Sequence, residues 1–180
     1  MHTHFDVEKY VPYRIDVTPD GGGEHDERAV LERVLERDRL YVMDRGYAKF
    51  SLFNAIVKHA SSYVCRLRDN SVYEIAEERP LTDADRAVDV LSDQIVRIGL
   101  SGKAANQPDH PVRLVIVKVK PHVTSGNSRG VDSDGFLRIM TNLLDVPAEI
   151  IALLYQHRWQ IEVFFRTFKH LLGLPASAEP

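Results

Sequence analysis

Two carboxylates and the residues spaced around one of them carry what chemistry this chain displays. Asp44 follows a short apolar run, Leu40 to Met43, and precedes Arg45 and Gly46. In open α/β sheets the carboxyl ends of buried strands are where ligands and catalytic groups gather. A carboxylate there can hold a hard cation such as Mg²⁺, which prefers oxygen ligands and keeps several waters; the plainer reading is a turn start. Glu162 belongs to the polar set Tyr155, Arg158, Glu162 and Lys169, at offsets 0, 3, 7 and 14. Residues 155–169 read as one helix, on which, at about 100° per residue, these point near 0°, 300°, 340° and 320°, one stripe about 60° wide. Leu153, Leu154, Ile161, Phe164, Phe165 and Phe168 fill an adjacent apolar arc. An aromatic, two cations and a carboxylate beside an apolar face suit an anionic ligand, and a row of surface ion pairs is the plainer alternative.

Other candidates carry less. His25 and Asp26 precede an apolar-periodic run, the position of a helix N-cap more often than of a metal pair. His2 and His4 share one strand face without a third ligand in the sequence nearby and are expected at the surface. His157 points near 200° on the same wheel, into the apolar arc, and reads as a core histidine. The single cysteine, Cys65, lies in an alternating run and reads as a strand residue, not a nucleophile. One cysteine excludes an internal disulfide and fits a reducing cytoplasm.

The elements that must position these groups follow from apolar spacing. Residues 2–7 and 10–17 read as two strands of a hairpin, after which Gly21 to Gly23 break the chain. Residues 26–38 carry Ala29, Val30, Leu31, Val34 and Leu35 at helical spacing, and residues 40–43 read as a buried strand. A helix over about 49–59 and a strand over 63–67 follow. This order predicts a mixed α/β sheet. Residues 71–133 depart from it with an acidic piece that reads as helical, an apolar strand at 112–119 and a turn-rich stretch at 125–135. Residues 137–141 return to strand character, and Pro147 opens a last long helix at its first turn. The expected division is a core over 1–70, an insertion subdomain over 71–133, the rest of the core over 134–174, and a disordered tail over 175–180.

Bulk properties exclude some classes. No apolar run is long enough to span a membrane and no secretory leader is visible, so neither fate is expected. The net charge of −3 argues mildly against nucleic acid, because phosphate affinity comes from Lys and Arg. The average conceals a division. Residues 74–93 hold seven acids and two bases, whereas residues 97–129 hold six bases and one acid, which keeps a nucleic-acid role open.

Asp44-Arg45-Gly46-Tyr47 after an apolar strand, followed by Tyr155-x2-Arg158-x3-Glu162-x6-Lys169, resembles the DDE transposases of bacterial insertion sequences, in the group with a Tyr-Arg-Glu-Lys signature. The similarity covers most of the chain and implies a ribonuclease-H-like fold with a β-rich insertion. It implies that Asp44 and Glu162 are the second and third acids of a triad binding two Mg²⁺ or Mn²⁺ ions. Such a pair activates the attacking oxygen and stabilises the leaving one in a phosphoryl displacement. By the same resemblance Arg158 and Lys169 hold phosphates of the transposon end and Tyr155 contacts DNA beside the cleavage point. Trp159, near 40° on the wheel, either stacks on an unpaired base or packs under the insertion. The implied partner is double-stranded DNA carrying terminal repeats, with a homodimer in the DNA complex, in the bacterial cytoplasm and on the nucleoid when bound.

The chain departs from the family pattern at its start. The first triad Asp belongs on a central strand ahead of the hairpin, and here the hairpin begins at His2, with Asp6 and Asp16 in its strands. The expectation is therefore a chain without the first catalytic Asp and its strand, truncated at both ends. Two alternatives stand beside a catalytic fragment: a non-catalytic DNA-binding or dimerising remnant, and an unrelated α/β domain whose last helix packs on a partner protein.

Overall fold

The structure is a computed structural model that describes residues 2–6, 8–18, 23–99, 107–119 and 135–171, apart from the side chains of residues 160, 165 and 168–171. Residues 125–134 of the expected turn-rich stretch and the expected tail fall outside the described residues, and so does the Lys169 side chain.

Strands β1 (His2–Asp6) and β2 (Val11–Asp16) form an antiparallel two-stranded sheet, His2 opposite Asp16, with an irregularity between His4 and Phe5. Helix α1 (Glu27–Arg33) starts where Asp26 caps it, its carboxylate accepting the Arg28 N–H at 2.9 Å. Capping, not metal binding, is thus what Asp26 does here. The helix is shorter than the apolar spacing suggested, ending at Val34. Strand β3 (Leu40–Met43), helix α2 (Phe50–Lys58) and strand β4 (Ser62–Arg66) follow. Strand β5 (Tyr73–Arg79), the short helix α3 (Asp83–Ala87) and strands β6 (Val90–Ile98), β7 (Val112–Lys118) and β8 (Phe136–Thr141) lead to helices α4 (Ala148–Gln156) and α5 (Trp159–Leu171).

Strands β3 to β8 make one six-stranded mixed sheet in the order β3-β4-β8-β7-β6-β5, parallel only between β3 and β4. Strands from residues 73–118, read in sequence as an excursion, hydrogen-bond into this same sheet. The acidic piece there is more strand than helix, its helical part being only Asp83–Ala87. β5 is an edge strand whose Glu74, Glu77 and Glu78 are exposed, and charge on an edge discourages pairing with other chains.

Period-2 alternation places two apolar cores on opposite sheet faces. Tyr63, Cys65, Leu114 and Met140 pack with Leu52, Phe53 and Ile56 of α2, whereas Val64, Val115 and Ile139 pack with Ala148, Ile151, Ala152 and Tyr155 of α4. The result is a mixed α/β layer structure with helices on both faces, consistent with a ribonuclease-H-like domain.

One polar device sets the position of α4. Arg113, 1% exposed, makes a two-pronged ion pair with Asp93, Nε to Oδ1 at 2.7 Å and Nη2 to Oδ2 at 2.8 Å. Its remaining nitrogen donates to the carbonyls of Leu143 at 2.9 Å and Val146, which lie in the loop entering α4. Asp85 then accepts the N–H of Glu149 at 2.9 Å, capping the first turn.

Candidate active site

The site is assembled where parallel strands end and the last two helices meet. Because Met43 lies opposite Cys65, the carboxyl ends of β3 and β4 leave the sheet side by side, which places Asp44 next to Arg66. The Asp44 Oδ1 accepts the Gly46 N–H at 2.7 Å and starts a single 3₁₀ turn over Arg45–Tyr47. The Cys65 thiol donates to the Asp44 carbonyl at 3.2 Å. Burial pushes that thiol well up from its ordinary value, so Cys65 stays neutral and anchors the Asp44 backbone.

The Tyr155–Lys169 segment is not one helix. α4 ends at Gln156 and α5 begins at Trp159, and the corner between them is tightened by i+3 bonds, Arg158 N–H to Tyr155 O at 3.0 Å and Ile161 N–H to Arg158 O at 3.2 Å. The stripe geometry computed for a continuous helix does not apply across this corner. His157 illustrates the correction: placed by the wheel in the apolar arc, it is exposed on the corner. His2 and His4, expected at the surface, are half-buried in the hairpin.

The corner nonetheless brings three members of the set together. Tyr155, Arg158 and Glu162 line one cleft of about 330 Å³ with Asp44. Tyr155 is buried in the α4 core, where burial raises its hydroxyl above the ordinary value, and the Arg158 guanidinium lies 5.7 Å from its ring centre. Arg158 Nη2 pairs with Glu162 Oε1 at 2.7 Å, while Arg158 Nε is buried without a hydrogen-bond partner. Burial disfavours the Arg158 charge, but Tyr155, Glu162 and Asp44 outweigh it and raise its pKa. Trp159 is half exposed on α5, with the Arg166 guanidinium 5.7 Å from its ring centre.

The cleft also holds Arg45 of the Asp44–Tyr47 motif and two residues that the sequence did not single out, Glu27 and Arg66. Glu27 is the first residue of α1, and its carboxyl is raised above the ordinary carboxylate value by burial first and by the Asp44 charge second. A signal for it existed. A helix followed by a short connection into β3 must run back alongside that strand, which puts the helix start near the strand end and hence near Asp44. Arg45 and Gly46 also border an adjoining cleft of about 510 Å³ with Arg68, Asp69 and Asn70.

Residues 1–177 match the transposase DDE domain family. The chain belongs to that family. It is 28% identical over 175 residues to a putative transposase, y4zB, of Sinorhizobium fredii, covering 97% of this chain and 45% of the relative. It is 29% identical over 176 residues to a probable transposase for insertion sequence element IS5377 of Geobacillus stearothermophilus, covering 97% of this chain and 41% of the relative. The chain therefore spans less than half the length of the curated relatives it matches.

DDE transposases use divalent metal ions, and the donors in this cleft can be tested against such an ion. Glu27, Asp44 and Glu162 offer only hard carboxylate oxygens, the chemistry Mg²⁺ and Mn²⁺ prefer. Among the described residues no three His, Cys, Asp or Glu side chains are gathered into a cation-holding group, and Glu162 is engaged by Arg158. The donor type thus fits, at the Asp44 end of the cleft. No described helix is long and apolar enough to cross a membrane.

Proposed function

We propose that this chain is part of the catalytic domain of a transposase, which acts on double-stranded DNA at transposon ends by divalent-cation-assisted hydrolysis and strand transfer. The observation that carries the reading is the convergence of Asp44, Tyr155, Arg158 and Glu162 in one cleft although two of the four come from separate helices and one from a strand end. Asp44 and Glu162 would hold the ions, which supply activation of the attacking oxygen and stabilisation of the leaving one. Arg158 binds a DNA phosphate by charge-assisted hydrogen bonds, and Tyr155 acts as a positioning residue beneath its guanidinium. Lys169 contributes a further phosphate contact, Trp159 offers a ring face to an unpaired base, and the protein works as a homodimer on its terminal repeats.

In the chain alone Arg158 and Glu162 neutralise each other. A DNA phosphate competes for the guanidinium, and the Glu162 carboxylate is released toward Asp44 as Arg158 turns to the backbone. Substrate arrival thereby completes the acidic site. In hydrolysis, water forms a bond to phosphorus, the bond to the bridging 3′ oxygen breaks, and that oxygen leaves as a 3′ hydroxyl. In strand transfer the same hydroxyl forms a bond to a target phosphorus, that phosphorus loses its bond to the bridging 3′ oxygen, and the oxygen leaves as a 3′ hydroxyl of the target strand.

The same ion pair supports a second reading, in which the chain binds DNA through Arg158 without cutting it. Incubation of the chain with Mn²⁺ and a duplex carrying its element's terminal repeats separates the two. Nicking that Asp44→Asn and Glu162→Gln both abolish supports the catalytic reading. Salt-sensitive binding without nicking supports the second.

A further inference from the structure

Two clefts share one wall at the end of β3, since Arg45 and Gly46 border both the cleft at Asp44 and the larger one beside it. The charge changes from one to the other. Around the first, Glu27, Asp44 and Glu162 stand against Arg45, Arg66 and Arg158. Around the second, among the described residues, Asp69 is the one acid, against Arg45 and Arg68. Asp69 is itself engaged elsewhere: its Oδ1 lies 3.6 Å from Arg66 Nη2 and 4.0 Å from Arg138 Nη1. Arg45 and Arg68 are exposed, and neither has an ion pair or a side-chain hydrogen bond among the described residues.

The backbone sets where these two guanidiniums stand. Arg45 opens the 3₁₀ turn capped by Asp44, and its carbonyl accepts the Ala48 N–H at 3.3 Å. Arg68 opens the turn after β4, where its carbonyl accepts the Ser71 N–H at 3.1 Å. Because β3 and β4 are adjacent and parallel, both turns leave the same end of the sheet. A guanidinium without a partner keeps five donors in a planar fork that matches phosphate oxygens, and the Asn70 amide at the same cleft can donate as well. A lone phosphate fills one cleft; a run of linked phosphates is what occupies two that share a wall. We propose that Arg45 and Arg68 form a second phosphate subsite, which grips the DNA backbone next to the phosphate held at Asp44 and Arg158. The inference rests on the proposed action on DNA. It adds two positioning residues at the strand ends to the cations of the last helices.

The test is duplex binding by the whole chain as a function of salt. The unaltered chain is compared with Arg45→Gln, Arg68→Gln, both together, Arg158→Gln and, as a control, Arg37→Gln, an exposed arginine ahead of the opposite end of β3. Arg45→Gln and Arg68→Gln are each expected to lower the slope of log affinity against log salt by about one, the double variant by about two, and Arg37→Gln to leave it unchanged. Duplexes carrying a single uncharged methylphosphonate, scanned along the strand, then locate the contact. One position should weaken binding by the unaltered chain and have no further effect on the double variant. Slopes like that of Arg37→Gln in both single variants, with a lower slope in Arg158→Gln, overturn the subsite and leave the DNA reading standing. A double variant as sensitive as the unaltered chain at every methylphosphonate also overturns the subsite. Salt-independent binding, or none, by the unaltered chain overturns both. Unchanged circular dichroism and melting in the double variant shows that a lost contact is not a lost fold.

Discussion

Two arginine–carboxylate pairs in this molecule share chemistry and distance, and differ in everything else. Arg113 and Asp93 meet at 2.7 Å with 1% and 6% of their side chains exposed, and Arg113 also serves carbonyls of the loop before α4. Arg158 and Glu162 also meet at 2.7 Å, one turn apart on the same segment, but with 23% and 40% exposed and with the Arg158 Nε left unpartnered. The first pair is shut inside the fold, where the only other cation paired with Asp93 among the described residues is Arg79 of β5 at 3.8 Å, so breaking it leaves a buried charge with one weaker partner. The second borders an open cleft, and on the proposed function it exchanges its carboxylate for a DNA phosphate. Burial and spare hydrogen-bonding capacity, not the ion pair itself, separate the structural anchor from the proposed DNA contact.

The largest expected effect tests the anchor. Arg113→Ala leaves Asp93 buried with only Arg79, 3.8 Å away, and loss of one member of a buried pair costs about 3–5 kcal/mol. Urea denaturation should show this, and the loop carrying α4 should become more open to amide exchange. If Arg158→Ala destabilises as much, the distinction between the pairs is wrong, because a partly exposed pair is worth about 0–1 kcal/mol.

A third pair is about as exposed as the second. Asp26 and Arg28 are 29% and 32% exposed, and Asp26 also caps α1. Asp26→Ala should cost about 1 kcal/mol, mostly through the lost cap. The Arg28 guanidinium holds the Asp26 carboxyl well below its ordinary value of 3.8. Its contribution is therefore fully present above that value and is lost only as the pH falls through the depressed one. The difference in stability between Asp26→Ala and the unaltered chain should stay constant near neutrality and shrink in strong acid.

The smallest effect probes exchange directly. Arg158→Gln frees Glu162 without DNA, so Mn²⁺ affinity should rise by up to about fivefold, the equivalent of an ion pair worth at most about 1 kcal/mol. In DNA binding the same variant should lower the slope of affinity against salt by about one phosphate contact. An unchanged slope would remove Arg158 from the interface.

Much of this arrangement was legible in the sequence, for local reasons. The run Leu40–Met43 ends in an acid and a glycine, and that alone placed Asp44 at a strand end facing solvent. The apolar spacing of Leu52, Phe53 and Ile56 gave α2 its buried face. The corner at His157 and Arg158 was not legible, since no proline or glycine marks it and the residues on both sides favour helix. It alters which residues share a face, and so moved His157 to solvent and Tyr155 into the core. The joining of β5, β6 and β7 to the same sheet as β4 was hidden too, because pairing across long separations leaves no periodicity behind. Glu27 was missed because its meaning lies in the return of α1 along β3, a packing relationship and not a spacing.

The central claim is that DNA completes the acidic site by drawing Arg158 away from Glu162. Mn²⁺ titration of the unaltered chain and of Glu162→Gln, each with and without duplex DNA, tests it most directly. The account predicts that DNA tightens Mn²⁺ binding in the unaltered chain and has no such effect in Glu162→Gln. Equal tightening in both proteins, or none in either, would contradict it.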